Sequence, residues 1–574
     1  MLLILLPLVY LLAAGVWLAL LLAQRPLRAP VRPLPLAATV LGALLAAFLL
    51  LSSVPVGVTL LRWTPADVFG GDLRLYADPL SVLFVALLAL LALAATLAER
   101  RGLATDDPFT VVAGLLLTGA AIIFVLAGNL LTLAGAWLFM DLATLAAPRW
   151  LQTSRTAPRV QALALNYLGG VLVFLAGITA LSQNPGLAGQ VWTPGTLAPL
   201  SPRFFEVGWA VNPAVLLALA AYVRLGAYPF HRNIPDAGST PLAAWLRLTP
   251  LAVGAYLLAR AASLVVAAPL SGPSWTLVTG LATLIAAVLA WLAVSHDDTV
   301  RWLAVYAASG ILLRLAPGPN EAGLLVILGG VALVLAVGAL ALAEPLSYRG
   351  SGWPRRWVEI MRSAAIWTLW GGPLTLGFVY RWGGYRGALD VGDTQAIVWS
   401  VLAAVFAAAA LWTLAFDTWQ ARRPAGRTSA PLRWSDLLGL TLLGVPLVIV
   451  GLQPLLITPA LDLVTAPGAS SRIADLVRGT PSGQGVQIGL LLLIPWLVGL
   501  ALSRLRRRVP AEARLGQSVQ AWLRLDWLNT RRWRPVAFGT RLLRLVTGLG
   551  EGERYVGLLA VFALIVALAL LTQS

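Results

Sequence analysis

Residues 220–250, AAYVRLGAYPFHRNIPDAGSTPLAAWLRLTP, interrupt an otherwise lipid-like sequence with charge and with proline. Arg224 lies inside an apolar run. Pro229, Pro235, Pro241 and Pro250 break the helical pattern after it, and Arg247 enters the next run. A charged side chain in a spanning helix costs about 3 kcal/mol or more, so it normally faces a bundle interior or a wet cavity. Helix breaks at membrane depth are tolerated only where the freed backbone groups meet protein or water. Two readings follow: an internal polar site built on a broken helix, or an arginine that snorkels or only locks two helices together.

Outward from this stretch the chain is uniformly apolar. Of its 574 residues 59% are hydrophobic and only 11% are charged, against about 25% charged in soluble domains. Apolar runs long enough to span a bilayer recur along the whole length. There are about sixteen, centred near residues 12, 45, 88, 118, 138, 170, 218, 256, 284, 309, 332, 372, 405, 447, 494 and 563. The expected fold is all-α and polytopic, with about 14–16 transmembrane helices and no soluble catalytic domain between them. The first run lacks a basic flank and a small-residue cleavage site, which makes it a retained helix rather than a signal peptide.

Missing residue types narrow the chemistry. There is no cysteine, which excludes thiol catalysis, disulfides and cysteine-ligated clusters within this chain. The two histidines, His231 and His296, are too few and too far apart in sequence for a metal or haem site, so no cofactor is expected. All 41 basic residues are arginine, and arginine stays protonated where a buried lysine would titrate. The net charge of +17 falls in loops between spans. The positive-inside rule explains it better than nucleic acid does, so the bilayer is the expected partner.

Arginine counts set the orientation. The first connector (Arg25, Arg28, Arg32), the fifth (Arg149, Arg155, Arg159), the eleventh (Arg349, Arg355, Arg356, Arg362) and the thirteenth (Arg422, Arg423, Arg427, Arg433) are basic. The even connectors 56–78, 182–208 and 459–484 are near neutral. That alternation puts both termini outside the cell and the odd loops in the cytoplasm. The fifteenth connector, 504–550, carries eleven arginines among Trp522, Trp527 and Trp533. It reads either as an amphipathic segment lying on the membrane or clasping a neighbour, or as an ordinary basic loop.

Five segments, in order, resemble one family. LYADPLSVLF (75–84), GNLLTLAGAWLFMDL (128–142), YPFHRNIPDAGSTPLAAWLR (228–247), SHDDTVRWLAVYAASG (295–310) and GGPLTLGFVYR (371–381) are similar to motifs of the antiporter-like, Mrp-type proton-channel subunits. These are the large membrane subunits of NADH–quinone oxidoreductase (complex I) and of Mrp-type cation/proton antiporters. The resemblance implies two inverted five-helix repeats, each with a broken helix at membrane depth. It also implies partners: other membrane subunits, including antiporter-like paralogues. It divides the chain into 1–109 (helices one to three), 110–268 (first repeat, helices four to eight), 269–416 (second repeat, helices nine to thirteen), 417–503 (helices fourteen and fifteen), 504–553 (basic amphipathic segment) and 554–574 (C-terminal span).

In the family a glutamate on helix five pairs with a lysine on broken helix seven, and bases on helices eight, eleven and twelve continue a hydrated proton axis. Here the glutamate position is Leu138, with Asp141 three residues later, on what reads as the same helix face. The basic positions are Arg224, Arg247 and Arg381, and the helix-eleven position falls near Leu333 in a run without an ionisable group. A relay group must gain and lose a proton near neutrality, and arginine begins too high to do so. The expectations are therefore a structural Asp141–Arg224 pair and a hydrophilic axis interrupted between Arg247 and Arg381. His231 either relays a proton near the cytoplasmic entrance or bonds a freed backbone group at a helix end. Asp236 reads as a cap for the next element, with Ser239 and Thr240 capping the helix at Pro241. Asp298, with Asp297 and Arg301, reads as an interfacial charged cluster entering helix ten.

Three functions fit these residues. The chain is an antiporter-like membrane-arm subunit of a complex I-type or related energy-converting complex, associated with proton or cation translocation. Alternatively it is a degenerate paralogue that keeps the scaffold without conducting, or the membrane partner of an inorganic-carbon accumulating complex. Quinone, flavin or iron–sulfur chemistry would belong to partner chains.

Overall fold

The computed structural model describes residues 1–22, 33–52, 54–62, 72–99, 108–145, 157–183, 213–233, 240–266, 273–313, 319–347, 351–420, 432–459, 482–508 and 521–525. The chain divides into two compact units, Met1–Ala511 and Glu512–Ser574. In the second unit only 521–525 is described, a short helical turn with Trp522 exposed. The amphipathic reading of 504–553 and the C-terminal span at 554–574 thus lie almost wholly outside the described residues.

The first unit is helical almost throughout. In chain order it holds α1 (Leu2–Leu22), α2 (Leu34–Leu51), α3 (Pro79–Ala98), α4 (Pro108–Val125), α5 (Leu130–Leu145), α6 (Ala157–Gln183), α7 (Pro213–Arg224) and α8 (Pro241–Val266). There follow α9 (Pro273–Leu292), α10 (His296–Leu313), α11a (Pro319–Ala332), α11b (Gly338–Ser347), α12a (Gly352–Trp370), α12b (Leu376–Val391), α13 (Thr394–Gln420), α14 (Trp434–Leu452) and α15 (Ser482–Arg508). Fifteen of the sixteen expected span centres fall in these helices or at a break between two of them. Among the described residues nine helices are long and apolar enough to cross a membrane, and four more apolar helices are shorter. The protein is a multi-pass membrane protein.

Proline and short polar residues set the helix starts. Asp78 accepts from the Ser81 amide and the Ser81 hydroxyl accepts from the Asp78 amide, a reciprocal cap with Pro79 at the first helical position. The Thr240 hydroxyl accepts from the Ala243 amide ahead of Pro241, as expected; Ser239 and Asp236 lie outside the described residues. Thr375 caps α12b through the Phe378 amide.

Three features depart from the sequence reading. The connector 56–78 contains an antiparallel hairpin, β1 (Val56–Arg62) with β2 (Asp72–Ala77), whose branched residues the apolar-run count treated as loop. Arg362, counted in the basic eleventh connector, lies inside α12a and is buried. Arg504 and Arg506, counted in the fifteenth, belong to α15, and Arg506 donates to the carbonyls of Trp291 and Ala293 at the end of α9. For Arg362 and Arg506 a neighbouring backbone or carboxylate takes up the arginine, which a loop count does not register.

The most buried helices are α8 and the α11 pair. α8 packs on α3, α4, α7 and α11a, and α7 packs on α6. On the other side α9 packs against α10 and α13, while α12b packs on α11a. The α8–α11 seam therefore carries the centre of the bundle, where a buried charge is costly unless it is paired.

Candidate functional site

The polar groups of the bundle centre are arginine–carboxylate pairs. Arg224 ends α7, where the helix breaks at Leu225–Pro229 with Gly226 at φ 59°. Its Nη1 donates to Asp141 Oδ1 at 2.8 Å and its Nη2 to the Trp137 carbonyl at 3.2 Å. The guanidinium lies 3.9 Å from the Trp137 ring centroid. Both members of the pair are only 1% exposed. The structure places Arg224 in the interior rather than snorkelling, and ties α7 to α5 there, as either an internal polar site or a lock between two helices requires. The close approach is made by α8: a Cβ on Gly254 would lie 2.6 Å from the Leu225 nitrogen.

Leu138 is exposed while Asp141 is buried, so the two do not share a face as the sequence reading held. Three residues of α-helix fall about 60° short of a full turn. The boundary of the buried stripe runs through that gap, and the acid stands on the inner side.

Arg247 holds Asp297 with two parallel bonds, Nη1 to Oδ1 at 2.8 Å and Nη2 to Oδ2 at 3.0 Å. Asp297, rather than Asp298, is thus the acid of the α10 start that holds Arg247, from a position itself about a third exposed. Asp298 and Arg301 stay half-buried beside it. The residue before Asp297 extends the link: His296 Nδ1 lies 3.1 Å from Glu344 Oε1, and Arg362 Nε donates to Glu344 Oε2 at 2.9 Å. Arg362 Nη2 then donates to the Leu414 carbonyl at 2.9 Å. This chain of groups, from Arg247 to Arg362, passes around the apolar part of helix eleven. Leu333 sits there at the start of a π-helical turn, Leu333–Val337, buried on all sides.

Arg381 stands one turn into α12b, beyond the second break at Gly371–Thr375. Its Nη2 donates to the Tyr306 hydroxyl at 2.8 Å and to the Leu369 carbonyl at 2.7 Å. Its guanidinium makes no ion pair among the described residues. Gly377 permits the two halves of helix twelve to meet, because a Cβ there would collide with the Thr368 carbonyl.

His231 lies in a short 3-10 turn, Phe230–Asn233, buried and stacked on Tyr228 with Trp302 4.7 Å away. Sequence reasoning missed a further buried site. Arg260 Nη2 lies 2.5 Å from Asp78 Oδ2, and its Nε donates to the Tyr256 hydroxyl at 3.0 Å. Arg260 and Tyr256 are spaced i, i+4 on α8, so one charge in an otherwise apolar run was the available signal. Among the described residues no cluster of three metal-ligating side chains occurs.

No family model matches the chain. NADH-quinone oxidoreductase subunit N from Rhodococcus opacus (strain B4) is 30% identical over 319 residues, covering 50% of this chain and 57% of that protein. The chain therefore matches little more than half the length of this curated relative. In structure it resembles the Mrp complex from Dietzia sp. DQ12-45-1b, with TM-score 0.70 and 20% identity over 96% of this chain and 62% of the other. It also resembles the archaeal membrane-bound sulfane sulfur reductase, with TM-score 0.61 and 18% identity over 83% and 99%.

Proposed function

We propose that this chain, an antiporter-like membrane protein of the complex I and Mrp kind, serves as a membrane-arm subunit of a bacterial energy-converting complex. In that role it sits in the plasma membrane beside other membrane subunits with both termini outside. Helices α4 to α8 and α9 to α13 form its two repeats. Its part in ion translocation rests on fixed charge rather than on a titrating base.

The observation that carries this reading is the Arg224–Asp141 pair. It joins a broken helix to α5 in the bundle interior, yet it is built from a cation that holds its proton. Arg247 and Arg381 likewise offer no titrating base. Groups able to exchange protons are confined to carboxylates and histidines, with His296 and Glu344 the pair best placed between the two halves. A fixed cation can still act electrostatically by holding or releasing its carboxylate as neighbouring charges change.

Affinity purification on this chain from native membranes tests the assignment. Quinone-oxidoreductase or Mrp-type subunits should co-purify; recovery of a soluble zinc protein instead would select the inorganic-carbon reading. In vesicles holding the assembled complex, Arg224→Lys should keep assembly and change translocation little. Loss of stoichiometry with assembly intact would show that the guanidinium itself gates the path.

A further inference from the structure

Four deeply buried arginines, Arg224, Arg247, Arg260 and Arg362, each hold a carboxylate oxygen between 2.5 and 2.9 Å away. Arg381 differs. It is half-buried, and it has a hydroxyl and a carbonyl for partners and no acid among the described residues. Taking a cation out of water without a counter-charge is costly enough that native interiors avoid it. Something else must balance this one.

The guanidinium lines a cavity of about 60 Å³ between α9, α10, α11a, α12b and α13. A cavity of that volume has room for more than one water-sized particle. Its polar lining is rich in donors. Ser400 is 6% exposed, and its Oγ has no hydrogen-bond partner among the described residues. The Tyr306 hydroxyl accepts from Arg381 and so keeps its own proton to give. The Thr283 and Thr368 hydroxyls have spent theirs on the carbonyls of Thr279 and Ala364. Gly377, at the start of α12b, also lines the cavity, and the first turn of a helix favours negative charge. Donors, a fixed cation and a helix N-terminus together repel metal cations and suit an anion.

We propose that this cavity is a binding site for a small monovalent anion of the halide class, held by Arg381, Ser400 and Tyr306 as the missing counter-charge. The site is independent of any role in translocation. Its occupant is small because the space holds only a few water-sized particles.

The test uses the full-length chain in detergent, exchanged into sodium gluconate and titrated with chloride or bromide at constant ionic strength. A ligand bound only by the folded state raises the unfolding midpoint with concentration. The wild type should show a saturable rise in midpoint with halide and none with added gluconate, and bromide should give an anomalous-scattering peak beside Arg381. Arg381→Gln should abolish the response. Should that variant fail to fold, two milder ones decide. Ser400→Ala should raise the half-saturating concentration about tenfold. Gly310→Val should do so too, because a Cβ at Gly310 meets nothing closer than 3.7 Å and the side chain grows into the cavity. A wild type equally stable in halide and gluconate would mean that water alone fills the space, and the proposal would be wrong. It would be equally wrong if both milder variants titrated like the wild type.

Discussion

The two helix breaks solve the same electrostatic problem differently. At the first, Arg224 precedes the break and is held by Asp141, the Trp137 carbonyl and the Trp137 ring. At the second, Arg381 follows the break and leans on a tyrosine hydroxyl and a carbonyl, facing a cavity. The difference lies in where the counter-charge comes from. One break carries its own acid and is fixed; the other leaves its cation to whatever enters. The chain thus places a cation at both breaks and, among the described residues, a carboxylate at only one.

The largest effect should come from breaking the closed site. Removing one partner of a buried pair leaves an uncompensated charge and costs about 3–5 kcal/mol, whereas removing both costs far less. Asp141→Asn and Arg224→Leu should each lower the thermal unfolding midpoint and the yield of assembled protein more than the double variant does. Equal losses in all three would remove the contrast between the breaks.

Somewhat smaller, because His296 is 31% exposed, is the effect expected at the link around helix eleven. Glu344→Gln strands the buried Arg362 and should cost about 3 kcal/mol, at the low end for a broken buried pair. Arg362→Met added to it should recover most of that loss in the same unfolding measurement. No recovery would mean that Arg362 is held by its carbonyl contact alone.

How much of this was legible in the sequence depends on how isolated each charge is. Asp141 and Arg224 were readable because each is the lone charge of its apolar run and each falls in a recognisable segment. Arg362 was misassigned because it stands in a basic stretch with Arg355 and Arg356. Loop counting cannot show that one member of such a stretch turns inward to Glu344. In the expected gap between Arg247 and Arg381, Leu333 is buried and apolar, and the polar groups that run on from Arg247 end at Arg362 rather than at Arg381. The polar link leaves helix eleven eleven residues later, through a glutamate whose partners come from α10 and α12a. Pairings across helices are set by packing, and no local pattern of one helix contains them.

The open site should tolerate loss of its cation better than the closed one. Arg381→Leu leaves the Tyr306 hydroxyl and the Leu369 carbonyl short of a donor, each worth about 1 kcal/mol. It also removes a charge that has no acid to balance it among the described residues. The net cost should be about 1 kcal/mol, well under that of Arg224→Leu. A loss as large as that of Arg224→Leu would mean that Arg381 has a firm counter-charge after all.

The finest distinction concerns the cavity walls, where two glycines should answer the same substitution with opposite signs. Alanine in place of glycine in a helix gains about 1 kcal/mol of helix preference if the methyl group finds room. At Gly310, in α10, a Cβ would meet the Tyr380 hydroxyl oxygen at 3.7 Å and the Thr283 methyl at 3.9 Å, both ordinary contacts. At Gly329, in α11a, it would meet Tyr380 at 2.8 Å and Ile311 at 2.9 Å. Forcing a methyl into such a place costs about 1–3 kcal/mol as side chains leave their preferred rotamers. Gly310→Ala should therefore raise the unfolding midpoint slightly, and Gly329→Ala should lower it by an amount worth about 1 kcal/mol. The second substitution also pushes on Tyr380, whose ring shares the cavity with Arg381. If both variants were destabilised alike, the space beside Gly310 would already be filled, and the second break would be as closed as the first.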